Sequence, residues 1–136
     1  MDEKRILLIE DDLHLRELYA RVLSKAGFHI TMAVDGQEGL MLIDTKPDLI
    51  LLDIMMPRMN GMELLRKLKS DEKTKDLSIV LLTNLGQASI IQEAMALGAR
   101  GYLMKVRLLP EELTGHVKKF LEDPTFRTDL SVLDLD

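Results

Sequence analysis

The sequence has no cysteine among its 136 residues. A disulfide framework and a thiolate metal site are therefore excluded, so any metal ion must be held by oxygen or imidazole ligands. Long apolar runs are missing too, because the stretch MDEKRILLIEDD has only four apolar residues in a row before acidic residues begin. That run is far too short for a signal peptide or a membrane span. We therefore expect a cytoplasmic protein with no membrane contact.

An excess of positive charge is also absent. The chain has 18 Lys and Arg against 23 Asp and Glu, a net charge of -5. Direct binding to nucleic acid is not expected from such a charge, whereas cations and basic protein surfaces suit it. The composition, 46% hydrophobic and 30% charged, is typical of a globular protein, and the length suits one domain with a substantial core. The sequence contains no internal repeat and no low-complexity tract.

Five short apolar runs have the length of β-strands. Several are apolar at consecutive positions, which is typical of parallel strands covered by helices on both faces. The runs are Ile6–Ile9, Phe28–Val34, Leu49–Leu52, Ile79–Leu82 and Tyr102–Met104.

Helical patterns alternate with these runs. Apolar side chains recur at helical spacing, Gly27 can end the first helix, and Pro110 can open the last one. The alternation predicts a doubly wound α/β domain with a five-stranded parallel sheet in the order 2-1-3-4-5, as in flavodoxin-like folds. The apolar positions are Leu15, Leu18, Tyr19, Val22 and Leu23; Leu40 and Ile43; Leu64, Leu65 and Leu68; Ile90, Ile91, Ala94 and Met95; and Leu113, Val117, Phe120 and Leu121.

Polar residues follow the predicted strands. Glu10–Asp12 come after the first strand, Asp53 after the third, Thr83 and Asn84 after the fourth, and Lys105 after the fifth. In the order 2-1-3-4-5 the functional crevice lies between strands one and three, beyond their carboxyl ends. The acidic triplet and Asp53 should therefore face each other across this crevice.

The acidic triplet can be read in two ways. Asp11 or Asp12 could cap the first helix, which needs only one acid. Three carboxylates beside Asp53 repel one another, and a hard divalent cation such as Mg²⁺, which takes oxygen ligands, would relieve that repulsion. Lys105 and Thr83 add an ammonium and a hydroxyl, so the set is suited to binding a phosphoryl group.

This combination resembles the receiver domain of two-component response regulators. The resemblance covers residues 4–122 and rests on four stretches in order: EDD, DLILLDIMMPRMNG, LLTN and GARGYLMK. It implies a phosphorylation switch and not an enzyme. At most, the domain would catalyse the Mg²⁺-dependent phosphorylation and dephosphorylation of itself. The implied phosphoryl donor is a histidine kinase or a histidine phosphotransfer protein. A downstream protein or a second copy would bind the face formed by helix 4, strand 5 and helix 5.

The resemblance also implies roles for individual residues. Asp53 would accept the phosphoryl group, Thr83 and Lys105 would contact it, and Tyr102 would follow Thr83 inward. Glu10 and Asp11 would form the acid pair, with Asp11, Asp53 and the backbone carbonyl of Met55 binding Mg²⁺. Pro57 and Gly61 would shape the loop after Asp53 through their restricted and permissive φ values.

Some alternatives remain at this stage. Tyr102 could be a plain core aromatic, and Val106 stands where the family usually has a proline, so a trans peptide bond is expected there. A receiver-like adaptor that works without phosphorylation is the main alternative function. A haloacid-dehalogenase-like phosphatase would need an acid at Met55, and a flavodoxin-like cofactor binder would not have an acidic first loop.

The segment after Leu121, EDPTFRTDLSVLDLD, breaks at Pro124 and is acidic. We expect residues 123–136 to form a frayed tail, with a linker stub or a partner-docking segment as alternatives.

Overall fold

A computed structural model describes residues 3–56, 58–84 and 88–128. Five parallel strands form one sheet in the order β2-β1-β3-β4-β5, which confirms the predicted architecture. Helices and strands alternate along the chain. The strands are β1 Arg5–Ile9, β2 His29–Ala33, β3 Leu49–Asp53, β4 Ile79–Thr83 and β5 Gly101–Met104; the helices are α1 Leu13–Lys25, α2 Gly36–Met41, α3 Gly61–Ser70, α4 Ala88–Leu97 and α5 Pro110–Glu122.

The sheet is covered by two helical layers. Side chains on one face pack with α2, α3 and α4, through residues such as Leu64 and Ile91. Those on the other face pack with α1 and α5, through Tyr19 and Val117. All five residues of β3 and of β4 are buried, which explains why these strands are apolar at consecutive positions instead of alternating.

The helix ends follow the sequence signals at most places. Gly27 follows α1 with a φ of 99° and Pro110 opens α5, both as predicted. The second helix is shorter than its apolar pattern suggested, because α2 ends at Met41 and Ile43 lies in a short 3-10 turn, Ile43–Thr45. Pro47 instead limits the 3-10 turn, since a proline disfavours right-handed helical geometry in the residue before it, and Lys46 has a φ of 58°.

The structure of residues 123–128 differs from the frayed tail that the sequence predicted. The main chain of Thr128 donates a hydrogen bond of 3.1 Å to the carbonyl of Arg100, and Phe126 packs on Phe120 of α5 with 5.0 Å between ring centroids. This part of the predicted tail is therefore packed against the domain and is not frayed. The predicted tail residues 129–136 lie outside the described residues.

Among the described helices, none combines the length and the apolar character that crossing a membrane would take.

Candidate functional site

Four strand ends meet at one edge of the sheet. Glu10 follows β1, Asp53 and Thr83 are the last residues of β3 and β4, and Lys105 follows β5. In a parallel sheet the carboxyl ends of all strands point the same way, so residues distant in sequence converge there. The structure places Asp53 opposite Leu82, next to Thr83, in the pairing of β3 with β4.

Lys105 joins the two buried carboxylates of the site. Its Nζ lies 2.7 Å from Oε1 of Glu10 and 3.1 Å from Oδ2 of Asp53. Burial by itself lowers the pKa of Lys105, but its hydrogen bonds and charge attraction to Glu10 and Asp53 outweigh burial and raise the pKa overall. Lys105 is thus a fixed ammonium, as the sequence suggested.

Asp53 is an unusually basic carboxylate. Burial, followed by the neighbouring carboxyl of Glu10, raises the pKa of Asp53 to about 8, against the opposing effect of Lys105. The residue is almost completely buried, with 3% of its surface exposed. A nearby cation would favour its ionised form.

Three carboxylates are close enough to share one ion. Glu10, Asp11 and Asp53 each offer one oxygen, and these three atoms lie within 4.8 Å of one another. An all-oxygen set of this charge fits a hard divalent cation and does not suit a soft one. The structure therefore brings together three of the four residues that the resemblance implied around the metal, Glu10, Asp11 and Asp53.

The third acid of the triplet has a different task. Oδ1 of Asp12 accepts a hydrogen bond of 3.0 Å from the main-chain N–H of Leu15, so Asp12 is the N-cap of α1. This bond lowers the pKa of Asp12 below its ordinary value. The Asp12 N–H in turn donates to Oε2 of Glu10 over 3.1 Å. Asp12 therefore has the capping role, and Glu10 and Asp11 are left, with Asp53, as the group that could hold a metal.

Thr83 and Tyr102 lie on the neighbouring strands β4 and β5, of which β4 is next to the strand of Asp53. The Oγ1 atom of Thr83 is buried and has no hydrogen-bond partner within the described part of the chain. A buried hydroxyl without a partner is costly and indicates a group that a ligand oxygen would satisfy. Tyr102 is also buried, at 6% exposure, in the cluster that packs with α3 and α4. It is thus both a core aromatic and a neighbour of the strand that carries Thr83.

Gly61, at the end of the loop after β3, lies against the main chain of Asp53 and Ile54. Gly61 is not among the described glycines with a positive φ, which are Gly27 and Gly98. The predicted reason for Gly61, its permissive φ, is therefore wrong. A Cβ at Gly61 would instead lie 2.4 Å from the carbonyl oxygen of Asp53 and 2.7 Å from Cα of Ile54. Glycine is required because two pieces of backbone touch.

Other predictions, for this loop and for the residue after Lys105, have mixed outcomes. The N–H of Met55 donates to Oδ1 of Asp53 over 3.3 Å, while the Met55 side chain is 58% exposed. Pro57, predicted to shape the loop, lies outside the described residues. Val106 belongs to a 3-10 turn, Lys105–Arg107, and its peptide bond is trans as predicted, since the described residues contain no cis bond.

A clamp on the same loop was not predicted. The Nε of Arg58 donates to Oδ2 of buried Asp35 over 2.6 Å, and the N–H of Gly36 donates to the carbonyl of Met59 over 2.9 Å. The N–H of Glu38, first, and then Arg58 hold the pKa of Asp35 below its ordinary value. The start of α2 thereby fixes the loop that follows Asp53. The local sequence signal was only Asp35 as a helix cap; the distant Arg58 gave none.

A second missed residue is Arg16, on the first turns of α1. Its guanidinium donates to the carbonyls of Glu10 over 2.8 Å and of Asp11 over 3.2 Å. These bonds hold the main chain of the acidic loop while leaving its carboxylates to the crevice. Helical spacing places Arg16 one turn after Asp12, which is the only signal that the sequence offered.

Comparisons with known proteins agree with this geometry. The chain is 39% identical over 119 residues to the phosphate regulon transcriptional regulatory protein PhoB of Pseudomonas aeruginosa, with 87% of this chain and 52% of that protein covered. It is 37% identical over 126 residues to the DNA-binding dual master transcriptional regulator RpaA of Synechocystis sp., covering 92% and 50%. The chain thus spans about half the length of these curated relatives.

Solved structures of response regulator proteins have the same fold as this chain. The chemotaxis response regulator CheY4 of Vibrio cholerae superposes with a TM-score of 0.79 at 28% identity, covering 87% of this chain and 98% of that one. A CheY-like response regulator receiver domain protein from Methanospirillum hungatei superposes with a TM-score of 0.80 at 28% identity, covering 89% and 95%. Residues 6–118 match the protein family described as the response regulator receiver domain. The chain therefore belongs to the response regulator receiver domain family.

Proposed function

We propose that this chain is a phosphorylation-activated switch of a two-component or phosphorelay system, acting in the cytoplasm. Asp53 accepts a phosphoryl group from a phosphohistidine on a histidine kinase or a histidine phosphotransfer protein. The modified domain then acts by binding another protein, and its only catalysis is the phosphorylation and dephosphorylation of itself. The observation that carries the proposal is the convergence of Glu10, Asp11 and Lys105 on the buried carboxylate of Asp53.

The transfer step requires an ionised Asp53. One oxygen of its carboxylate forms a bond to phosphorus while the bond between phosphorus and the donor's imidazole nitrogen breaks. The electron pair of that bond returns to the imidazole. Because the pKa of Asp53 is raised to about 8 in the metal-free protein, its proton has to leave first. Mg²⁺, held by Asp11, Asp53 and the Met55 carbonyl with Glu10 beside them, would favour that loss and screen the charge of the phosphoryl group.

The surrounding side chains then hold the product. Lys105, already 3.1 Å from Asp53, balances the added negative charge on a phosphoryl oxygen. The hydroxyl of Thr83, which has no hydrogen-bond partner among the described residues, donates to another, and Tyr102 follows Thr83 as the switch residue. A charge change at Asp53 is thereby converted into a rearrangement of β4 and β5.

An apolar rim supports docking of the phosphoryl donor at this edge. Leu13, Met55, Val106 and Leu109 are 51%, 58%, 60% and 55% exposed. Each follows the end of β1, β3 or β5, where the crevice opens. Exposed apolar side chains grouped around a functional site are typical of a protein interface. We call these four residues the rim.

The downstream surface is proposed to be the face of α4, β5 and α5. Its partner is a target protein or a second copy of this chain. PhoB and RpaA are described as transcriptional regulators, but this chain matches only about half of each. No direct contact of this domain with nucleic acid is proposed, in keeping with its net charge of -5.

Intact mass spectrometry tests the proposal directly. The protein is incubated with a small phosphodonor and Mg²⁺, and we expect a single phosphoryl adduct. Asp53→Asn should abolish the adduct, whereas Asp44→Asn, at an exposed site outside the crevice, should form it normally. No adduct on the wild type would favour the alternative of an adaptor that works without phosphorylation. An adduct that persists in Asp53→Asn would place the phosphorylation elsewhere.

A further inference from the structure

The segment that follows α5 is packed onto the domain. Phe126 packs against Phe120 with the rings tilted by 55° and 5.0 Å between their centroids, and Nζ of Lys119 lies 4.4 Å from the centroid of Phe126. Pro124 has already ended the helix, so these contacts hold a non-helical piece of chain. We call residues 123–128 the strap.

A buried arginine holds the strap by its main chain. Arg100, 5% exposed, donates to the carbonyls of Phe120 over 2.7 Å and Phe126 over 3.0 Å, and also to the carbonyl of Asp123. Its guanidinium also lies over the ring of Phe120, 5.4 Å from the centroid. Because a buried cation without acceptors is costly, Arg100 stabilises the docked strap strongly.

The end of the strap bonds to β5. The N–H of Thr128 donates to the carbonyl of Arg100 over 3.1 Å, and Oγ1 of Thr128 accepts from the N–H of Tyr102 over 3.3 Å. A Cβ on Gly101 would lie 2.2 Å from that Oγ1 and 2.6 Å from the Phe120 ring. The first residues of β5 are thus shaped to admit the Thr128 side chain.

One of the hydrogen bonds of Thr128 involves the main chain of Tyr102, the proposed switch residue. Tyr102 is held by Thr128 through its main chain, while its side chain is buried against the α3 and α4 side of the sheet. Tyr102 lies opposite Leu81 in the pairing of β5 with β4, the strand that ends at Thr83. The paired strands β5, β4 and β3 therefore connect the strap with Asp53.

We propose that the strap is coupled to phosphorylation of Asp53, so that each stabilises the other through Tyr102. The inference rests on the proposed function. A docked strap fixes the main chain of β5 while the Tyr102 side chain is buried. A phosphoryl group that draws in Thr83 favours the same buried Tyr102. Two events that favour one arrangement must strengthen each other reciprocally.

Beryllofluoride with Mg²⁺, a phosphoryl analogue, tests the coupling in the full chain. Calorimetry measures its affinity, and hydrogen exchange measures protection of residues 123–128. We expect protection of the strap to rise on binding. Thr128→Val, which keeps the shape but removes the hydroxyl, should weaken the affinity about fivefold, the lower end of typical couplings. The control is Thr125→Val, because the Thr125 hydroxyl bonds only Asp123 within the strap, over 2.7 Å.

The outcomes are separable. If the wild type binds beryllofluoride but Thr128→Val binds equally well or better, and strap protection does not change, the coupling is refuted while the proposed function stands. If the wild type fails to bind beryllofluoride, the proposed function fails and the coupling with it. The exchange measurement needs only the wild type, so an unstable variant would not prevent a decision.

Discussion

A Cβ on Gly61 would lie 2.4 Å from the carbonyl oxygen of Asp53. No real Cβ tolerates such a distance to backbone, so the first turn of α3 sits against the end of β3 only because residue 61 is glycine. The contact ties the position of Asp53 to the start of α3, and it leads to the first prediction.

Gly61→Ala should push α3 away from β3 and displace the main chain of Asp53. We expect a loss of about 1 to 3 kcal/mol in the free energy of unfolding, the usual cost of overpacking, together with slower phosphorylation of Asp53. Urea denaturation and the intact-mass assay measure these effects. Gly115→Ala is the matched control, because a Cβ there meets nothing within 4 Å and α5 should tolerate it. Equal stability of the two variants would contradict the prediction.

The pKa of Asp53 predicts how stability depends on pH in the metal-free protein. The folded value of about 8 lies above the ordinary value of 3.8, so between these pH values the folded protein keeps a proton that the unfolded chain has lost. The free energy of unfolding therefore falls as pH rises through this window. Since one pKa unit corresponds to about 1.4 kcal/mol, we expect a loss of roughly 3 to 4 kcal/mol between pH 5 and pH 8 from this group. In Asp53→Asn, denaturation curves should show a smaller loss over the same range.

Mg²⁺ should raise the melting temperature, because it binds the folded crevice and not the separated carboxylates of the unfolded chain. Asp11→Asn should remove most of this rise. Asp12→Asn should retain it, since asparagine is an equally good N-cap and Asp12 lies outside the three-carboxylate group. Thermal denaturation with and without Mg²⁺ measures both variants. A loss of the Mg²⁺ effect in Asp12→Asn would overturn the assignment of the acid pair.

The sheet and the main site residues were predictable for a physical reason. Consecutive apolar residues required strands covered on both faces, and parallel strands bring their carboxyl ends to one edge. Asp53 and Lys105 could therefore be placed near each other although they are 52 positions apart along the chain. Their meeting follows from topology alone, which the sequence pattern specifies well.

The failures concern contacts that depend on tertiary distances. Nothing local distinguishes Gly61 as a point of backbone contact, and Arg100 looks like an ordinary residue before a strand. The prediction of a frayed tail rests on the break at Pro124 and on the acidic character of the segment, and among residues 123–128 only Phe126 is a large apolar residue. Its docking depends on main-chain carbonyl groups that bind Arg100. Because every residue has a carbonyl group, the sequence carries no signal for these contacts.

The rim predicts a difference between two kinds of phosphoryl donor. Leu109→Gln should slow transfer from a phosphohistidine protein about tenfold, the effect of losing roughly 1.4 kcal/mol of docking, because burial of its apolar surface is lost. Phosphorylation by a small donor should be unaffected, since that molecule needs no docking surface. Met41→Gln is the control: Met41 is 76% exposed on α2 and lies outside the rim. Equal slowing with both donors would mean that Leu109 acts on the site itself.

The last prediction concerns the lifetime of phospho-Asp53. Met55 and Leu85 lie two residues after Asp53 and Thr83, and Leu85 lies outside the described residues. Since the N–H of Met55 bonds Oδ1 of Asp53, the Met55 side chain starts beside the phosphoryl group. A polar side chain there could orient the attacking water, but methionine cannot, so we expect slow hydrolysis.

Met55→Asn should speed this hydrolysis about tenfold, a barrier change of roughly 1.4 kcal/mol, and adding Leu85→Glu should speed it further. Decay of the purified adduct in excess Mg²⁺, without kinase, measures the rates; Met41→Asn should decay like the wild type. If Met55→Asn also decays at the wild-type rate, the side chain at position 55 does not control the access of water.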